Sequence, residues 1–107
     1  MNNLSSLKSN NLAEWTYERV QSYIQDFEEN LNIDNQIGLK LVSFGNQGSF
    51  YIEEVGYWGP DIITFYCYDA NNKARVQLIQ NIAQLNILLI ALPKIEEVKS
   101  PIGFKTE

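Results

Sequence analysis

The sequence predicts one α+β domain. It comprises a long N-terminal helix, a four- to five-stranded and mainly antiparallel sheet laid out as a β-meander, a second apolar helix packed on that sheet, and a short C-terminal strand. Three observations carry this reading. Residues 12–31 repeat apolar side chains at helical spacing with no Gly or Pro among them. Residues 37–79 alternate in short runs separated by Gly, Pro, Asn and Asp. Residues 82–92 are apolar on most faces and stop at Pro93. With 107 residues, 45% of them hydrophobic, the chain has room for one packed core.

Residues 1–11 are polar and rich in Asn and Ser, which predicts a frayed or disordered end before a single domain over 12–107. Asn10 or Asn11 is placed to cap the helix that follows. In that helix Leu12, Trp15, Val20, Ile24, Phe27 and Leu31 share a face, and Glu14, Glu18, Gln21, Gln25, Glu28 and Glu29 occupy the other side. NLNIDNQIG supplies the turn. Ile37, Leu39 and Leu41 then alternate with Gly38, Lys40 and Val42 as a half-buried strand over 37–44. The glycines of GNQGS at 45–49 suit a hairpin loop leading to a strand over 50–57. GYWGPD at 56–61 turns the chain into a β-branched and aromatic strand over 62–69. A second hairpin loop at 69–73 leads to a fourth strand over 75–79.

In the segment 80–92, Ile82, Leu85, Leu88, Leu89 and Leu92 form a helical stripe, although Leu-Leu-Ile alone also reads as a buried strand. Its length and Pro93 favour the helix. A helix so apolar is expected between layers or at a contact between copies of the chain. KIEEVKSP is polar and loop-like, and 102–105 adds an edge strand.

Composition removes several function classes. Eight Lys plus Arg against thirteen Asp plus Glu give a net charge of −5, and the basic residues are scattered, which disfavours direct binding to DNA or RNA. Cys67 is the only cysteine, so no intrachain disulfide forms and a reducing compartment is expected. The first eleven residues lack the apolar centre of a signal peptide, and the apolar run 87–93 is too short to cross a bilayer. A cytoplasmic protein without membrane contact is expected. There is no histidine, so neither a zinc or iron site nor a Cys or Ser nucleophile has its usual partners. FGNQGSF lacks the Gly-Lys-Ser of a phosphate loop. Glu53 and Glu54 are adjacent on a strand and point to opposite faces unless a bulge intervenes. The expectation is a protein that is not an enzyme and carries no cofactor or metal.

The middle of the chain carries a resemblance. IQDFE at 24–28, LVSFG at 41–45, GYxxPDII at 56–63 and VQLIQ at 76–80, followed by LPK at 92–94, resemble a family of small uncharacterised bacterial and phage proteins, a domain of unknown function, over roughly residues 24–104. The resemblance implies no activity and no catalytic residue.

The aromatics remain. Strand alternation sets Phe50 and Ile52 against Tyr51, Glu53, Val55 and Tyr57, and Ile63, Phe65 and Cys67 against Ile62, Thr64, Tyr66 and Tyr68. One face is then core. The other gathers Tyr51, Tyr57, Tyr66 and Tyr68 beside Thr64 and Arg75, a set suited to binding. A solvated sheet face built from strand-favouring residues accounts for the same tyrosines without any ligand. The functional expectation is a small acidic binding protein that forms a homo-oligomer. In its concrete form, a phage anti-defence protein sequesters a nucleotide-like small molecule between subunits. Tyr57, Trp58, Tyr66 and Tyr68 stack on the base, and Arg75 or Arg19 meets phosphate. The alternative is a protein–protein inhibitor or adaptor that covers a host enzyme with its acidic and aromatic face.

Overall fold

The structure, a computed structural model, describes residues 11–42, 48–99 and 102–105. The expected frayed end therefore lies outside the described residues except for Asn11, and so does most of the loop expected at 45–49. Among the described residues one α-helix, α1 (Leu12–Glu29), packs on a six-stranded sheet. The strands are β1 (Asn35–Leu41), β2 (Ser49–Trp58), β3 (Ile62–Asp69), β4 (Ala74–Asn81), β5 (Ile87–Pro93) and β6 (Gly103–Lys105).

Helix α1 begins where the Asn11 side chain accepts the Glu14 backbone N–H at 3.0 Å. The Ala13 N–H donates to the Pro60 carbonyl at 2.7 Å and ties the helix start to the β2–β3 turn. Ala13, Tyr17 and Ile24 are its buried residues, four and seven apart, so one narrow stripe faces the sheet. Trp15, expected on that apolar stripe, is instead 40% exposed.

The sheet runs β4-β3-β2-β1-β5, antiparallel throughout, and β6 adds to β2 in parallel. β1 pairs only with the start of β2, at 49–51, and β6 takes the same edge farther along, at 54–56. Between Ile52 and Glu54 the β2–β3 register shifts at a bulge. The shift places Ile52 and Val55, three residues apart, on the same face, against Cys67 and Phe65. That face carries the core: Ile24 and Tyr17 from the helix, Ile37, Leu39, Ile52, Val55, Ile63, Phe65 and Cys67 from the sheet, and Ile102. Full burial of side chains such as Phe65 and Ile63 contributes about 1.5–3 kcal/mol each before conformational entropy is subtracted.

The second apolar helix is absent, and this corrects the expected fold. Residues 82–84 form one 3-10 turn, capped by Asn81, and 87–93 are strand β5, paired along its length with β1. Pairing with β1 puts Leu89 and Ile87 beside the core and leaves Leu92 packed on the opposite side of the sheet. Apolar residues on every face therefore reflect a strand touched on both sides rather than a helix. The sheet has six strands instead of four or five.

The connection from β5 to β6 crosses the sheet face opposite the helix. There Ile95 and Val98 pack with Leu92 over Tyr51 and Tyr68. Gln36, 2% exposed, pins this strap: its amide donates to the Val98 carbonyl at 2.6 Å and its oxygen accepts the Ile95 N–H at 2.7 Å. At the far end of the strap the Glu28 carboxylate accepts the Ile102 N–H at 3.2 Å and holds the start of β6 to the helix.

Burial raises the Glu28 carboxyl above its ordinary 4.5, and the hydrogen bond from Ile102 opposes the shift without cancelling it. A carboxyl raised on folding contributes stability that is present below its ordinary value and lost as pH rises through the raised one. Glu28→Gln keeps an acceptor for Ile102 and has no proton to lose. Its urea midpoint should therefore fall less than the wild type's as pH rises from below 4.5 to neutral.

Candidate functional site

Pairing partners share a face, so the registers arrange the outer face in four rows. Tyr51, Tyr68 and Arg75 form the first, Glu54, Tyr66 and Gln77 the second, Gly56, Thr64 and Ile79 the third, and Trp58, Ile62 and Asn81 the fourth. The strap closes the first row. Tyr51 and Tyr68 are each 6% exposed, and the Tyr51 hydroxyl donates to the Pro93 carbonyl. Burial, with Glu97 nearby, raises the Tyr51 phenol above its ordinary range.

Arg75 belongs to the same closure. Its guanidinium makes a bidentate pair with Glu53 at 2.8 and 2.9 Å, donates to the Glu97 carbonyl at 2.9 Å, and lies 4.5 Å over the Tyr68 ring. The bulge explains Glu53's role, since it lets this carboxylate reach the outer face beside the first row.

Tyr57 is corrected to the helix face. Strict alternation from Tyr51 puts it with the other tyrosines, but the bulge at residue 53 inverts every position beyond it. Tyr57 instead lies against Tyr17, with ring centroids 4.9 Å apart, and Tyr17 in turn meets the edge of Phe104 at 6.1 Å. Val55 moves to the core for the same reason. Arg19 is exposed on α1, on the other side of the sheet from Trp58. The residues expected to form one stacking site are thus divided among three places: Tyr51, Tyr68 and Arg75 under or beside the strap, Tyr57 in the core layer, and Trp58 with Tyr66 on the open part of the outer face.

That open part is the candidate site. Trp58 is 68% and Ile79 61% exposed, Gln77 is exposed, and Ile62 and Tyr66 are half-buried around the buried Thr64. Rows three and four contain no charged residue on β2, β3 or β4. Their rim is acidic: Glu54 ends the second row, and the exposed Asp61 accepts from the Asn81 amide at 3.2 Å beside the fourth. An aromatic and aliphatic centre without charge, bordered by polar groups, is the composition of a protein-binding patch. Alternation marks Tyr66, while Trp58 is expected from the turn at 56–61 and reaches this face through the bulge. Alternation sets Ile62 on the outer face without counting it in the site, and it misses Ile79, because an isoleucine on a strand reads as core until the covering layer is known to be absent.

The helix side has a shallow apolar hollow of about 180 Å³ lined by Leu39, Leu41, Phe50, Cys67, Val76 and Leu78, with Gln77 at its border. No charged side chain among these orients a ligand. Burial pushes the Cys67 thiol up to about 12, so it is not a thiolate at neutral pH. Among the described residues no group of three or more His, Cys, Asp or Glu is placed to hold a metal ion, and no helix is long and apolar enough to cross a membrane.

The model of a family of unknown function matches residues 6–105. No curated protein and no solved structure matches the chain.

Proposed function

The chain belongs to the family of unknown function DUF6173, and on the geometry of its outer face we propose that it is a non-enzymatic protein that binds another protein through Trp58, Ile62, Tyr66 and Ile79. The observation that carries this reading is the exposure of Trp58 and Ile79 on an uncharged part of a chain whose net charge is −5. The acidic rim at Glu54 and Asp61 fits a partner with an apolar centre and flanking Lys or Arg. An inhibitor or adaptor acting in the cytoplasm of a bacterium, or of one infected by phage, agrees with the sequence blocks and with the single buried thiol.

The nucleotide-sequestering alternative has less support from this geometry. It needs a cation beside stacked aromatics, and Arg75 is committed to Glu53, Glu97 and Tyr68 while Arg19 lies on the helix. Capture from host lysate separates the two readings when wild type and Trp58→Ala are compared. A protein retained in stoichiometric amount by the wild type, and bound about 30-fold more weakly by Trp58→Ala, is expected. A thermal shift with nucleotides, together with equal capture by both proteins, would overturn the proposal.

A further inference from the structure

We propose that two copies of the chain pair through the outer edge of β5 into one continuous sheet, with Leu89 opposite Leu89 across a two-fold axis. This goes beyond the partner-binding patch and does not rest on it. Among the described residues β5 pairs with β1 alone, so one of its edges is open. The Asn86 carbonyl accepts from Val42 and the Lys94 N–H donates to Asp34, which fixes the phase of the ladder. Residues 88, 90 and 92 direct their backbone groups to β1, and Ile87, Leu89 and Ala91 direct theirs outward.

This outward set is symmetric about Leu89. Placing a second copy antiparallel with Leu89 facing its own counterpart sets each Ile87 against Ala91, so every outward N–H meets an outward carbonyl. The edge ends where it no longer matches: Pro93 has no N–H, and the 3-10 turn Ile82–Gln84 stops the strand on the other side. In the same register Leu88, 53% exposed, faces Ile90 of the second copy at a close, non-hydrogen-bonded position.

The seam itself carries no charge to oppose a second copy. Two chains of net charge −5 repel, and ILLIALP is a strip without a charged residue. The opposite edge, β4, follows the exposed Lys73 of the turn and carries the exposed Arg75, the residue types that protect an edge from pairing.

Sedimentation velocity of the full chain tests the proposal. The wild type should sediment at twice the chain's mass. Ala91→Pro removes one outward donor at an exposed edge position, and Leu88→Lys places a charge at the seam. Each should weaken association at least about tenfold while leaving the circular dichroism of the fold unchanged. A second measurement fixes the register: Leu88→Cys mixed with Ile90→Cys should form a mixed disulfide under mild oxidation, while the buried Cys67 does not react. A wild type that stays monomeric well above micromolar concentration overturns the proposal. So does association that neither variant weakens, or a mixed pair that forms no cross-link.

Discussion

Gln36→Leu is expected to lower the stability of the protein by about 2–4 kcal/mol, although leucine fills nearly the same volume. The cost comes from the strap. Gln36 is buried and joins both the Ile95 N–H and the Val98 carbonyl, and an apolar residue leaves each without its partner. An unsatisfied buried group costs about 1–3 kcal/mol, and water entering under a loosened strap recovers part of it. Urea denaturation gives the magnitude. Hydrogen exchange gives the location, since the Ile95 amide should lose protection while amides of β3 keep theirs relative to global unfolding.

Gly38→Ala should cost about 2–3 kcal/mol, although alanine normally stabilises a strand relative to glycine. A Cβ at Gly38 would collide with Leu92 Cδ1 and lie 2.7 Å from the Phe50 carbonyl oxygen. The carbonyl is main chain and cannot swing aside. Leu92 must then leave its place against Tyr51 and the strap, so this substitution and Gln36→Leu damage the same closure from two sides. Gly103→Ala is the control: its nearest neighbour would be the flexible Glu54 Cγ at 3.6 Å, and its denaturation midpoint should stay near the wild type's.

Much of the element order could be read from the chain, and the misreadings have specific physical causes. The spacing of Leu12, Ile24 and Phe27 marks a helix because the period runs through 12–31 without a breaker and with charged residues on the other side. The β2–β3–β4 meander follows from alternation and turn chemistry, which are local. Residues 87–93 defeat the same reasoning because an apolar run fits a helical stripe and a buried strand alike. Only its pairing with β1, more than forty residues earlier, makes it a strand.

The outer face departs from strict alternation at one bulge, which displaces both Val55 and Tyr57. Ile52 and Val55 are apolar with two glutamates between them, a break in the period of two that signals a bulge. Missing it moved Tyr57 to the wrong face. The strap left a similar trace in Ile95 and Val98, two apolar residues in an otherwise polar segment. Which surface they cover is a long-range fact that no local pattern encodes.

On this proposal the outer face is divided, closed at Tyr51 and Tyr68 by the chain's own strap and open to a partner at Trp58 and Ile79. Hydroxyl-radical footprinting of the free and partner-bound protein, read by mass spectrometry, tests both halves at once. Trp58 and Ile79 should be modified in the free protein and protected in the complex, while Tyr51 and Tyr68 remain unmodified in both. Modification of Tyr51 in the folded free protein, or a bound partner that leaves Trp58 as reactive as before, would contradict the account.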